Sequence, residues 1–134
     1  MLRFKSLGSG SSGNATLVEA RSGNQTSRLL IDCGLRLREL EATLLDAGTS
    51  ADEIDAVFIT HEHGDHVGCA RHFAKRYATP LWMSQGTWLA IADAAWEPYQ
   101  PLLRVARDST PIEIGALQAS PFTCLLYTSD AADE

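Results

Sequence analysis

What the chain lacks narrows it first. It has no run of ~18 uninterrupted apolar residues, so no stretch of it reads as a membrane-spanning helix. Its start, Met1-Leu2-Arg3-Phe4-Lys5, leads into glycines and serines and lacks the apolar centre of a secretory signal. Cysteine is scarce and odd in number: Cys33, Cys69 and Cys124, with no C-x-x-C spacing. That argues against a disulfide framework and makes Cys33 and Cys69 expected buried thiols in a reducing compartment, by default the cytoplasm. No internal repeat is present, and 134 residues is the size of one ordinary domain. Histidine is also rare, at four residues. Three of the four fall within six positions.

Those six positions are His61-Glu62-His63-Gly64-Asp65-His66, preceded by Thr60 and the apolar run Ala56-Val57-Phe58-Ile59. Imidazole nitrogens and a carboxylate oxygen are the donors that a borderline metal such as Zn²⁺ accepts. The apolar run reads as a buried strand that delivers the cluster to a sheet edge. On extended chain His61 and His63 project to one side, and Glu62 to the other. Gly64 lets the chain turn, so that Asp65 and His66 open the next helix and point a second pair of ligands back. Two pairs from one loop predict two neighbouring metals.

The rest of the chain is punctuated in keeping with that strand. Leu2 to Leu7 reads as a first strand, followed by Gly8-Ser9-Gly10-Ser11-Ser12-Gly13-Asn14. This loop matches G-x-G-x-x-G, with Asp32 about twenty residues on, as in a dinucleotide fold. A helix must follow the third glycine in such a fold. Ala15 to Ser27 instead alternates like a strand and turns at Ser22-Gly23-Asn24, so a tight loop between antiparallel strands is expected, or a loop on the rim of the site. Arg28 to Gly34 reads as a buried strand ending in Asp32. An acid closing an apolar run needs a partner, and a metal-ligating histidine donating its free ring N–H is the natural one, with a helix cap as the plainer alternative.

Helices are expected over Leu35–Ala47, with Leu37, Leu40, Leu44, Leu45 and Ala47 at helical spacing, and over Asp65–Ala78, with Val67, Ala70, Phe73, Ala74 and Tyr77 on one face. A third spans Gly86–Trp96 with Trp88, Leu89 and Ala92 inward. Arg71 and Lys75, four apart, lie on the outer side of the second helix, either solvated or meeting phosphates; His72 is a surface residue. Pro80–Met83, Leu102–Val105, Ile112–Ile114 and Leu117–Phe122 read as short strands. Strand–helix alternation with antiparallel pieces at both ends predicts α/β layers.

The last eleven residues, CLLYTSDAADE, resemble the translation of a transposase mosaic-end sequencing adapter and are expected to be a non-native tail at 124–134, after a reading frame cut short. Setting aside Asp130, Asp133 and Glu134 takes the acidic count from 17 to 14 against 11 basic residues, and the net charge from −6 to −3. The overall charge then no longer argues against a nucleic-acid partner.

Thr60-His61-Glu62-His63-Gly64-Asp65-His66 resembles the Thr-His-x-His-x-Asp-His signature of the metallo-β-lactamase-fold hydrolases, without a departure. Leu7 to Asn14, with Leu30-Ile31-Asp32-Cys33-Gly34, looks like the YycJ/WalJ branch, regarded as bacterial metal-dependent nucleases with 5′→3′ DNA exonuclease activity. The resemblance covers residues 1–123 and implies the N-terminal half of an αββα sandwich: a mixed sheet with flanking helices. It implies that His61 and His63 hold one metal, that Asp65 and His66 hold the other, and that Asp32 supports the histidine loop from behind. Two divalent ions are implied, Zn²⁺ first and Mn²⁺ as the alternative. DNA is the implied substrate, and no membrane is involved; oligomeric state leaves no trace in the sequence. Relatives continue into a further metal-binding histidine, a bridging aspartate and another histidine, none of which stands here.

For the complete parent enzyme this predicts hydrolysis by a water shared between metals ~3.5–4 Å apart, its pKa lowered from 15.7 toward about 7, with Asp65 orienting it for attack on a phosphodiester. A thioester or lactone hydrolase of the same fold is the enzymatic alternative. The non-enzymatic one is that the 134 residues are an inactive, weakly metal-binding fragment, prone to aggregate through uncovered apolar faces and strand edges.

Overall fold

The structure, a computed structural model, describes residues 1–122. The stretch 124–134 singled out above lies outside the described residues. Strand β1 (Leu2–Gly8) pairs antiparallel with β2 (Ala15–Ser22), and β2 with β3 (Gln25–Ile31) across the turn at Ser22–Gln25. The third glycine of the G-x-G-x-x-G loop is followed by a strand, so that loop is the expected link between antiparallel strands. From β3 onward the pairing is parallel: β4 (Ala56–Ile59), β5 (Leu81–Ser84) and β6 (Leu103–Ala106) follow in sequence order in one six-stranded sheet. Each parallel crossover carries helix: α1 (Leu37–Asp46) after β3, α2 (Gly64–Val67) and α3 (Ala70–Tyr77) after β4, and α4 (Gln85–Ile91) with a 3-10 segment (Ala94–Leu102) after β5.

The two-residue period of the strands sorts the core into layers. Leu30, Val57, Ile59, Leu81 and Met83 face the helices and pack with Leu40, Leu44, Phe73, Ala74 and Trp96. Leu29 and Ala56 face the other way, onto the antiparallel pair β7 (Ile112–Ile114) and β8 (Leu117–Ala119), whose Ile112, Ile114 and Leu117 complete a second core. Helices, mixed sheet and second sheet are the α/β layering expected of the N-terminal part of an αββα sandwich. Beside β8, the sheet face is open as an apolar cleft lined by Leu29, Ile31, Phe58, Pro121 and Phe122.

Four expectations are corrected. The helix expected over Asp65–Ala78 is two helices, broken at Gly68. The apolar period runs unbroken through that glycine, but its backbone sits at φ +37°, and a Cβ there would come within 2.2 Å of the Cys33 carbonyl oxygen. The chain bends to press against the Cys33–Gly34 backbone, where the Cys69 N–H donates to that carbonyl at 2.9 Å. The helix expected over Gly86–Trp96 ends at Ile91, leaving Leu89 and Ala92 exposed, while Trp96 is buried from the 3-10 segment. Leu45 is exposed too, because α1 is covered on one side only. The last strand stops at Ala119 rather than Phe122.

Gly68→Ala is expected to lower the unfolding free energy by roughly 2–4 kcal/mol, from left-handed strain plus displacement of the Cys33 carbonyl. The urea midpoint measures it; an unchanged midpoint would show the kink to be dispensable.

Candidate metal centre

Because β3 and β4 are parallel neighbours, their carboxyl ends emerge side by side, the usual place for a site in such sheets. Asp32 follows β3, and Thr60 and the histidine loop follow β4. Asp32 is 5% exposed and holds φ +66°, a left-handed conformation that Asp tolerates better than most residues. Its carboxylate gathers three donors. Thr60 N–H donates to Oδ1 at 2.8 Å, Thr60 Oγ1 donates to Oδ2 at 2.8 Å, and His66 Nδ1 lies 2.6 Å from Oδ2. A carboxylate only accepts, so Nδ1 carries the proton and the Nε2 lone pair of His66 is turned toward the loop. The sequence placed Asp32 behind a histidine; the structure places it against His66.

Asp65 and His66 lie in α2, which begins at Gly64 as the turn residue predicts. His66 Nε2 stands 3.6 Å from Asp65 Oδ2. The His61 ring lies 3.7 Å from the His66 ring, centre to centre, and 5.0 Å from that of His63. His61, Asp65 and His66 are half-buried, while His63 and Glu62 are exposed. The four candidate ligands are thus drawn into one loop, with Asp65 and His66 facing each other and His61 between His66 and His63. Among the described residues no three of His, Cys, Asp and Glu are arranged to hold one metal ion. The donor chemistry fits divalent metals, and Asp32 turns His66 Nε2 out as a ligand would need. Catalytic zinc commonly takes three protein ligands, and the described residues do not by themselves form such a set.

One residue of the site is not among the candidate site residues read from the sequence, although it closes the glycine–serine motif. Asn14, at the end of the glycine–serine loop, sends its side-chain amide Nδ2 to within 3.1 Å of Asp65 Oδ2, 3.1 Å of the Asp65 carbonyl and 3.3 Å of His66 Nε2. Its Oδ1 accepts from the Gly10 N–H at 3.0 Å, folding the loop onto itself. The N–H₂ group of Asn14 stands beside Asp65 Oδ2 and His66 Nε2, two of the candidate donor atoms. The loop is therefore on the rim of the site, the alternative weighed above. Backbone bonds fasten it further: Asn14 N–H to the Asp65 carbonyl and Gly34 N–H to the Asn14 carbonyl, both 2.8 Å. Cys33 and Cys69 are buried as expected, and burial pushes the Cys33 thiol well up, away from any role as a thiolate ligand at neutral pH.

Burial of the His61 ring holds its pKa below the ordinary 6.5, and the charges of His66 and His63 push the same way against the pull of Asp32 and Asp65. A histidine whose folded pKa is depressed binds its proton better when unfolded. Its contribution to stability is whole above about 6.5 and is lost as pH falls through that value toward the folded pKa. His61→Gln is expected to flatten the acid limb of the stability–pH profile of the metal-free chain, and the His61 ring protons to titrate below 6.5 by NMR. A midpoint at or above 6.5 would contradict the burial argument.

Residues 8–126 match the family described as the metallo-beta-lactamase superfamily. The exodeoxyribonuclease WalJ of Streptococcus pneumoniae serotype 2 is 31% identical over 94 residues, 70% of this chain and 34% of that protein. The exodeoxyribonuclease YycJ of Bacillus anthracis is 33% identical over 90 residues, 67% of this chain and 33% of that protein. The chain spans about a third of the length of these curated relatives. Among solved structures, the Rm3 metallo-beta-lactamase aligns with a TM-score of 0.66 at 22% identity, over 86% of this chain and 46% of that one, a likeness of fold. A mixed sheet with helices on one face, the paired carboxyl ends of β3 and β4, and a family match over residues 8–126 agree: the chain belongs to the metallo-beta-lactamase superfamily.

Proposed function

We propose that this chain is part of a metal-dependent hydrolase that cleaves DNA phosphodiester bonds, of the 5′→3′ exonuclease type, acting in the cytoplasm. The observation that carries the hydrolase reading is the Asp32–His66 clamp, which commits one ring nitrogen of His66 to a buried carboxylate and leaves the other for a ligand. The choice of DNA is supported by two of the curated relatives, WalJ and YycJ, which are named exodeoxyribonucleases; others that match are named anti-Pycsar proteins and a probable RNase. Among the described residues no helix is long and apolar enough to cross a membrane.

In this reading His61 and His63 hold one divalent ion, Zn²⁺ first and Mn²⁺ as the alternative, and Asp65 and His66 hold the second. Such ions, when bound, supply Lewis acidity and a more acidic water at neutral pH. Asp32 fixes the tautomer and orientation of His66, and Thr60 ties the start of the histidine loop to the same carboxylate. His61, its pKa depressed, stays neutral at pH 7 and keeps its lone pair. Asp65 aligns the attacking water by accepting its hydrogen bond, and Asn14 holds the Asp65 backbone in place.

In a chain extended to the relatives' length, His61→Ala with His63→Ala is expected to abolish DNA degradation and to remove at least one equivalent of metal by elemental analysis. Unchanged metal content together with unchanged degradation would sink the assignment. Asp32→Asn is expected to weaken metal binding by about 10–100-fold, the usual effect of losing a partner behind a ligand, with the fold retained. Equal affinity in a competition titration would remove Asp32 from the site.

A further inference from the structure

The outer side of α3 carries two cations that the site does not use. Arg71 and Lys75 are four residues apart, hence on one helix face, and neither makes an ion pair among the described residues. Both lie over aromatic rings from the 3-10 segment. The Arg71 guanidinium is 5.6 Å from the Trp96 ring centre and 5.7 Å from that of Tyr99, and the Lys75 ammonium is 5.8 Å from Tyr99. The rings form a chain of edge-to-face contacts, Trp88 to Trp96 at 5.9 Å and Trp96 to Tyr99 at 6.4 Å. Trp96 is buried, Arg71 and Tyr99 are half-buried, and Lys75 is exposed. Arg76, the next cation, is instead turned to Glu41 at 3.5 Å.

We infer that Arg71, Lys75 and Tyr99 form a contact surface for single-stranded DNA, beginning five residues beyond His66. The inference rests on the nuclease reading and names where its substrate strand lies outside the metal centre. Charge complementarity selects the occupant: two cations without an ion pair among the described residues, beside the half-buried Tyr99 ring, match a phosphate backbone with stackable bases. Contact with the rings holds both long side chains in place, so less side-chain freedom is lost when a strand binds. A guanidinium laid over a ring also offers its outer plane to a base. An apolar peptide would gain nothing from two unpaired charges, and an acidic peptide would leave the rings unused.

The test measures binding of a fluorescent 20-nucleotide oligodeoxythymidine to the 134-residue chain by anisotropy, with a chelator present so that hydrolysis is silent. Each phosphate-contacting cation contributes about 0.7 to the slope of log affinity against log salt on a single strand. Arg71→Ala with Lys75→Ala is therefore expected to lower the slope by about 1.4, which weakens binding roughly 25-fold between 1 M and 0.1 M salt. Tyr99→Leu is expected to weaken binding with the slope unchanged, and Arg71→Lys to keep the slope. Lys75→Ala alone, at an exposed position, guards against misfolding and should lower the slope by about 0.7. Unaltered affinity and slope in the double variant would overturn the inference, as would no oligodeoxythymidine binding by the parent chain or preference for an acidic peptide or oligouridine. The nuclease reading stands or falls separately, on the metal content and DNA degradation of the histidine variants.

Discussion

The site depends on one buried carboxylate. Asp32 leaves β3 in a left-handed conformation and accepts from the Thr60 backbone, the Thr60 hydroxyl and the His66 ring. Those donors lie 28 and 34 positions along the chain, on the loop after β4 and on α2. A carboxylate at 5% exposure is costly to desolvate, and several donors at short range are what make its burial tolerable. In return it fixes the separation of two strand ends and the tautomer of a candidate ligand. The histidine loop and the end of β3 are thus joined through a buried polar side chain as well as through packing.

A second set of contacts, made by backbone alone, holds the other side of the loop. Cys33 N–H donates to the His66 carbonyl, Cys69 N–H to the Cys33 carbonyl, Gly34 N–H to the Asn14 carbonyl, and Asn14 N–H to the Asp65 carbonyl. Peptide groups can approach this closely only where side chains are missing: a Cβ on Gly34 would stand 1.8 Å from the Asp65 carbonyl oxygen. The glycines at 34 and 68 therefore belong to the site although neither has a group that could ligate or react. Their work is to let α2 lie against the end of β3, which sets where Asp65 and His66 point.

This division explains what was legible in the sequence. The His61–His66 cluster and Asp32 could be read directly, one as a density of ligand-type donors and the other as an acid with no cheap way to be buried alone. The strands could be read because burial on two faces imposes a two-residue period or a solid apolar run. Asn14 could not be singled out, since its meaning lies in contacts with residues 51 and 52 positions away. Nor could the break at Gly68: amphipathic spacing reports which face is buried, and that face is continuous across the kink. Leu45 and Leu89 misled for a related reason, because helical period was taken as proof of burial where a helix has only one neighbour to lean on.

Fold and substrate choice have different physical origins. The Rm3 metallo-beta-lactamase shares the layering at 22% identity, while the relatives named as exodeoxyribonucleases share sequence at 31% and 33%. One architecture serves different bonds, so the sheet and the metal-ligand types cannot select among them. What can select is the surface a substrate must cross on its way to the loop. On α3 there are two cations set on aromatic rings, without an ion pair among the described residues; beside β8 there is an apolar cleft. A polyanion gains from the first and little from the second, whereas a small neutral acyl compound gains from neither charge. In the proposed reading it is the charge outside the centre, rather than the centre itself, that would tell a nucleic-acid strand from a small acyl compound.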